Sequence, residues 1–298
     1  MSRIKVTTKR LFYYFTCMIF LFFSCKKENY YVAFDFTEEH LFTKGIEGPA
    51  VDSKGSLYAV NFDKEGTIGR VDEKGNSISY ITLPKNSIGN GIRFDKEDNM
   101  YIADYVNHNV LIVKKNSIVP NIYAHNKEMN QPNDLTISPS GIIYLSDPNW
   151  SDNTGNLWMV INEKMVLLEQ NMGTTNGIEV NPSGTKLYVN ESHQKKIWVY
   201  DINKDGTIKN KKLFKNFIDF GLDGMRCDSL GNLYVCRYGK GTVVILSPKA
   251  VLLEEISLKG KKPTNITFGG LEKKQCFITM SDRGCFESFY TQISGKSF

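Results

Sequence analysis

Six oxygen-bearing side chains recur along this 298-residue chain at nearly equal intervals: Glu47, Asn90, Asn133, Asn176, Asp223 and Asn265. The steps between them are 43, 43, 43, 47 and 42 residues. With 26 asparagines and 32 acids in the chain, six matches in six copies is not what chance placement gives. Two carboxylates and several amide oxygens brought to one place are hard ligands, suited to Ca²⁺ or Mg²⁺. No histidine is in the set, which argues against a histidine-rich zinc site. A single Asn at a strand boundary needs no more than a turn-capping role. Six in register, two of them acidic, read as one shared cation site.

The elements that must position these oxygens follow from the segments they open. The clearest is 176–192, NGIEVNPSGTKLYVNES: a short apolar run, a turn and a second alternating run. That is a β-hairpin pattern. Relatives of it begin at Glu47 (EGPAVDSKGSLYAVN), Asn90 (NGIRFDKEDNMYIADY), Asn133 (NDLTISPSGIIYLSDP) and Asp223 (DGMRCDSLGNLYVCRY), with a degenerate copy at Asn265 (NITFGGLEKKQCFIT). A period in the low forties with short strands and glycine-bearing turns indicates propeller blades. The fold expected is all-β, a single six-bladed β-propeller. Blades are expected over 46–83, 90–123, 133–168, 176–217, 223–256 and 265–293. The first blade's strands are placed near 48–52, 56–61, 67–71 and 77–82. The last blade reads one strand short, while 30–37 (YYVAFDFT) alternates like a strand with no partner nearby. We therefore expect this N-terminal strand to close the ring in the last blade, removing an exposed sheet edge.

The formal charge of +5 is mostly a property of the N-terminus. Residues 1–24 carry Arg3, Lys5, Lys9 and Arg10 and no acid, leaving +1 for the rest. Nucleic acid is not an expected partner. Residues 11–24 are apolar and aromatic, too short to span a bilayer as a helix, and follow a basic stretch as in a secretory signal. Cys25 ends this segment and resembles the lipidated Cys of a bacterial lipoprotein, although Phe22 and Phe23 are bulkier than that pattern prefers. The expected organisation is a signal peptide over 1–25, a tether and closing strand over 26–39, and the propeller over 40–298. The protein is expected at the cell envelope, held to the membrane by its lipid anchor alone, as a monomer. Cys227, Cys236, Cys276 and Cys285 form no C-x2-C pair, so a ribbon-type zinc site is not expected. They read as buried free thiols, with a disulfide as the alternative in an exported protein.

EGPA at 47–50, PND at 132–134, NGIEVNPSGTKLYVNES at 176–192 and DGMRCDSLGNLYV at 223–235 resemble the SMP-30/gluconolactonase/LRE-like family. The resemblance covers about residues 40 to 285. It implies a six-bladed propeller with one divalent cation in its central channel, calcium first, with Mg²⁺, Mn²⁺ or Zn²⁺ accepted by the same oxygens. By position, Glu47, Asn176 and Asp223 match the family's metal ligands. Asn133 matches its substrate- or metal-contacting Asn, and Asp223 its general base. Asn90 and Asn265, at the same register, are expected to contact substrate. The implied reaction is hydrolysis of a lactone or sugar-derived ester: a Lewis-acidic ion polarises the carbonyl and Asp223 orients or deprotonates water. Making Asp223 both ligand and base is in tension, because ligation lowers basicity. The alternative is a non-catalytic propeller that binds a glycan or protein, since blade two (YIADYVNHNVLIV) also resembles an NHL repeat. On that resemblance His108 is structural. His193 reads as an exposed loop residue, because no GxSxG elbow accompanies it. Arg93 and Arg226 could face the channel, and Trp150, Asn149 and Tyr105 could wall a pocket.

Overall fold

A computed structural model describes residues 29–296. Six four-stranded antiparallel sheets stand around one axis. The first contains Phe42–Val51, Leu57–Phe62, Thr67–Val71 and Ser77–Thr82, and the second Gly89–Phe94, Met100–Asp104, Asn109–Val113 and Pro120–His125. The third contains Leu135–Ile137, Ile143–Asn149, Thr154–Ile161 and Lys164–Gly173, and the fourth Thr175–Val180, Lys186–Glu191, Lys196–Ile202 and Ile208–Asn216. The fifth contains Met225–Cys227, Leu233–Arg237, Thr242–Leu246 and Leu252–Ser257. The sixth takes Pro263–Gly269, Gln275–Met280 and Cys285–Tyr290 from the end of the chain and Phe34–Asp35 from its beginning. The six-bladed propeller with an N-terminal closing strand is therefore the fold observed. Among the described residues the one helical element is a 3-10 turn, Leu271–Lys273.

Burial explains the sequence pattern of each blade. The middle strands are covered on both faces, so Leu233–Arg237 and Thr242–Leu246 are buried throughout. They read as near-continuous apolar runs rather than strict alternation. Outer strands such as Ile208–Asn216 are mostly exposed and correspondingly polar. The core is six separate clusters, one between each pair of neighbouring blades. Blades one and two, for example, share Val60, Ile68, Ile81, Ile92, Ile102 and Leu111. At roughly 1.5–3 kcal/mol for each fully buried side chain of this kind, a blade gains stability only through its neighbours.

The turns follow from side-chain chemistry. Asp52, Asp95, Asn181 and Asp228 each accept the backbone N–H four residues on, from Ser56, Asn99, Thr185 and Asn232. The residue before that donor takes a positive φ, as at Gly184 (+70°) and Gly231 (+82°). This is why the turns read D-S-K-G, N-P-S-G and D-S-L-G.

Ring closure is locked by charge. Phe34 and Asp35 pair with Ser288 and Glu287. Arg283 then reaches Asp35 Oδ1 at 2.7 Å, Glu39 Oε1 at 2.6 Å and the fully buried Glu287 Oε1 at 2.6 Å. One guanidinium thus ties the first strand to the last. Cys227, Cys236, Cys276 and Cys285 are buried free thiols. Cys25 and the N-terminal segment lie outside the described residues.

Candidate cation and ester site

The axial residues owe their aim to irregular backbone. Each inner strand begins at one end of the channel and runs toward the turn at the other. In blades one, two, four and six the ladder slips beside Glu47, Asn90, Asn176 and Asn265. Such bulges re-aim a side chain. In blades three and five, Asn133 and Asp223 sit just before the strand. The first inner strand begins at Phe42, earlier than the sequence pattern implies, because two such irregularities lie inside it.

Glycines bring these residues together. A β-carbon on Gly48 would stand 2.1 Å from Asn90 O, one on Gly177 2.3 Å from Asp223 O, and one on Gly224 1.9 Å from Asn265 Cγ. Real β-carbons never come this close, so the residue after the axial oxygen makes room for the next blade's axial residue. In blade three that position holds Asp134, which is fully buried.

Glu47 and Asp223 are the site's chemical centre. Glu47 is 8% exposed and accepts the Gly48 N–H at 2.5 Å and Asn265 Nδ2 at 3.0 Å. Burial pushes its carboxyl up to about 7, and the neighbouring Asp134 charge adds to the effect. Asp223 is pushed well above the ordinary carboxylate range by burial and by the Glu47 charge. The Asn176 side chain opposes this with a hydrogen bond to Asp223. Two carboxylates so placed resist ionising together unless a positive charge joins them.

The other oxygens divide. Asn133 Oδ1 is buried without a hydrogen-bond partner. Its backbone carbonyl accepts Gly91 N–H at 2.8 Å and Asn90 Nδ2 at 3.1 Å. Asn90 therefore steadies Asn133. Asn265 is 1% exposed, and its amide is engaged on both sides. It donates to Glu47 Oε2 and to Asp134 Oδ2 (3.2 Å), and accepts from Ile266 N (2.9 Å) and Arg226 Nη1 (3.3 Å). Asn265, expected to contact substrate, has its amide taken up by these four bonds, as a strut beneath the carboxylates.

Asn190 is a partner that the repeat register does not reveal. It lies fully buried on the second strand of blade four, where the other blades place Val60, Ala103, Ser146, Cys236 and Met280. Its Nδ2 donates to Asp223 O at 2.5 Å, and its Oδ1 is buried without a partner. Below the carboxylates, Arg93 Nη2 stands 3.1 Å and Arg226 Nη1 3.9 Å from Asp134. Both arginines thus face the channel. Burial and the adjacent Arg93 pull Arg226 down to about 10.

A second polar beat holds the loops above the site. At or close to the end of the second strand stand Asn61, Asp104, Asp147, Glu191, Arg237 and Ser281. Asp147 accepts the N–H groups of Asn130 and Gln131, both at 2.7 Å, and Trp158 Nε1 at 2.9 Å. It thereby fixes the loop leading to Asn133. Asp104 accepts the Ser87 hydroxyl at 2.7 Å and Asn109 Nδ2 at 3.0 Å. This beat is legible in the sequence as VNF, ADY, SDP, NES, CRY and MSD. At the rim Trp150 stacks edge-on against His193 at 5.9 Å, and His193 hydrogen-bonds Asn153. Asn149 is turned into its own loop, with Nδ2 donating to Asp152.

Among the described residues no three His, Cys, Asp or Glu side chains group as a metal cluster. The fit to a cation rests instead on two carboxylates that oppose one another and on buried amide oxygens without donors, at Asn133 and Asn190. That donor set suits a hard ion.

The comparisons agree with this architecture. A gluconolactonase of Zymomonas mobilis is 30% identical over 220 residues, covering 64% of this chain and 60% of that protein. The match therefore spans less than two thirds of that relative. Diisopropyl-fluorophosphatase of Loligo vulgaris is 26% identical, covering 87% of this chain and 94% of that protein. A crystal structure of a calcium-binding protein, regucalcin, from Agrobacterium tumefaciens superposes with a TM-score of 0.75 at 19% identity, covering 89% of this chain and 96% of that one. The family model for the SMP-30/gluconolactonase/LRE-like region matches residues 46–282, and the chain belongs to that family.

Proposed function

We propose that this protein is a metal-dependent lactonase-type hydrolase that opens a small lactone or sugar-derived ester at the Glu47–Asp223 end of the channel. One observation carries the reading: two mutually opposed carboxylates, Glu47 buried and Asp223 half-buried, beside buried amide oxygens that lack donors. A propeller that only binds through its loops has no need of that arrangement, which costs stability. Membership of a family that includes a gluconolactonase supports the reaction class.

Glu47, Asn133, Asn176 and Asp223 would hold a divalent cation, Ca²⁺ foremost by the hardness of the donors. The ion would supply Lewis-acid polarisation of the ester carbonyl. The remaining work falls to the chain. Asp223, partly open to the mouth, orients the attacking water and takes its proton. Water oxygen bonds to the carbonyl carbon, the ring C–O bond breaks, and the proton passes to the departing alkoxide. Asn176 fixes the Asp223 carboxylate, and Asn190 fixes its backbone carbonyl. Asn90 steadies Asn133, so that the Asn133 amide holds its position as substrate enters. Trp150 and His193 stand at the rim, where an ester's substituents would pass.

The test is Asp223→Asn assayed on a lactone panel. We expect turnover to fall about 10²- to 10⁴-fold with the circular dichroism of the native fold retained. Full activity would remove Asp223 from the mechanism. We further propose that the protein is exported and anchored through a lipid on Cys25. Membrane association that survives Cys25→Ala would refute the anchor.

A further inference from the structure

The first described residues enter the propeller at its rear, the end of the channel away from Glu47 and Asp223. Tyr30 bridges to Tyr290, and the backbone runs on to pair Phe34 and Asp35 with Ser288 and Glu287. Tyr290 stands opposite Gln275, and Gln275 opposite Gly269, the far end of the inner strand that carries Asn265. Cys25 is five residues before Tyr30, a span of at most about 18 Å when fully extended. A domain of this size has a radius of gyration of about 18 Å. A lipid on Cys25 would therefore hold the rear turns, not the mouth, at the bilayer surface.

Those turns differ at their tips. In the first four blades the third residue of the inner hairpin's turn is polar: Lys54, Glu97, Ser140 and Ser183. In blade five that place holds Leu230, 67% exposed, and the blade-six turn carries Leu271, 90% exposed. Around Leu271 the backbone takes positive φ at Gly270 (65°), Glu272 (55°) and Lys273 (54°), which the two longer residues disfavour. A single exposed leucine needs no explanation, but these two are neighbours. Segment 294–295 lies between their turns, with Ser229 N donating to Ser294 O and Gly295 N to Lys273 O, both at 2.8 Å. On one side the row extends to Val251, 57% exposed, in a turn that abuts the first: a β-carbon on Gly231 would lie 3.6 Å from Pro248. On the other side Thr291 N donates to Lys274 O at 2.9 Å, next to Tyr290 and the exposed Tyr30. Exposed Lys249 and Lys273 flank the leucines, and Lys274 pairs with Glu272. Asp228, in the turn of Leu230, is buried and bound by Asn232.

We propose that this row, Val251, Leu230, Leu271 and Tyr30 with Lys249 and Lys273, is a surface that rests on a lipid bilayer. The leucines seat at the boundary of headgroups and acyl chains, and the lysines meet headgroup phosphates. Apolar side chains bordered by lysines are the composition of an interfacial contact, and tyrosine suits headgroup depth. The orientation rests on the reading that Cys25 carries a lipid. Two signals hold a protein to a bilayer more firmly than one, and this face is the second. The channel mouth then points away from the membrane, open to dissolved esters.

The test uses vesicles of phosphatidylcholine and phosphatidylglycerol in equal parts. With the full chain bound to vesicles whose phosphatidylcholine carries brominated acyl chains, tryptophan fluorescence reads the orientation. Leu230→Trp and Leu271→Trp should be quenched beyond the wild-type background. Ile218→Trp, at an apolar residue just as exposed but in the loop that leads to Asp223 at the mouth, should not. The chain from residue 26, which keeps every strand of the closed ring, reads the face without the anchor. Its co-sedimentation with the same vesicles should be saturable. Leu230→Ser/Leu271→Ser, with the residue that blades three and four place at the tip, should weaken it at least about fivefold. A full chain without lipid on Cys25 refutes the anchor alone, because the binding of the chain from residue 26 does not depend on it. The proposal is overturned if Leu230→Trp and Leu271→Trp are quenched no more than Ile218→Trp, if the chain from residue 26 does not bind, or if the serine variant binds as tightly as wild type.

Discussion

The metal-free protein should lose stability as pH rises through neutrality, and a divalent cation bound at the proposed site should abolish most of that loss. Glu47 carries an ordinary value of 4.5 in the unfolded chain and about 7 in the fold, raised first by burial and then by the Asp134 charge. The folded state therefore holds a proton that the unfolded state has released. Stability is full below about 4.5 and falls until pH passes about 7. At 1.36 kcal/mol per pH unit, Glu47 alone accounts for about 3 kcal/mol between pH 4.5 and 8. Asp223, raised by burial and by Glu47, adds to the loss with the same sign. For a domain of this size about 3 kcal/mol corresponds to a fall of roughly 6 to 12 °C in Tm. Thermal melts followed by circular dichroism in EDTA, from pH 5 to 8, measure it. Repeating the melts with Ca²⁺ should flatten most of the slope, because the ion binds the ionised carboxylates and the folded state only. Glu47→Gln should stabilise the metal-free protein at pH 8 and remove its response to Ca²⁺. A metal-free Tm that is flat or rises from pH 5 to 8 would refute the reasoning.

Other expectations follow from the same contacts. Gly224→Ala places a β-carbon 1.9 Å from Asn265 Cγ, so Asn265 must shift and release Glu47 and Asp134. Overpacking of this kind costs typically about 1–3 kcal/mol, and a urea melt should show at least that, together with weakened Ca²⁺ binding by calorimetry. Arg283→Met strands the fully buried Glu287 and unlatches the closing strand. Breaking a buried pair costs about 3–5 kcal/mol, and hydrogen exchange should accelerate first at residues 31–37. Asp147→Ala frees Asn130 and Gln131. It should weaken Ca²⁺ binding by calorimetry and lower lactone kcat/KM, because the loop it fixes leads to Asn133.

Much of the fold was legible because the repeat encodes it directly. In four of the six blades the turn has an Asp or Asn at its start and a residue of positive φ near its end, with Ser138 in that place in blade three, and those residues mark the period. The closing strand was legible because 30–37 alternates with no neighbour to pair with, and the last blade lacks a strand. The juxtaposition of Glu47 and Asp223 was legible because they are the two acids in the register. What the register did not reveal is side-chain commitment. Asn265 and Asn133 occupy the same beat, yet one is enclosed by four hydrogen bonds and the other keeps an unpartnered oxygen. That difference comes from Asp134, which stands where blades one, two, four and five have glycine and gives Asn265 a second acceptor. Asn190 could not be found from a six-fold pattern because blade four alone places an amide there. The facing of Arg93 was undecided because a bulge near the start of its strand breaks the alternation that would settle it, and that of Arg226 because its strand, Met225–Cys227, is too short to show an alternation.

The central claim is tested most directly by lactone turnover of the metal-stripped protein, without residues 1–25, as Ca²⁺ is titrated in. The account predicts a basal rate near that of the uncatalysed reaction, rising to a plateau as one ion binds per chain, and no rise in Glu47→Gln. Turnover that is the same in EDTA as in Ca²⁺, or absent with Ca²⁺, Mg²⁺, Mn²⁺ and Zn²⁺ alike, would contradict it.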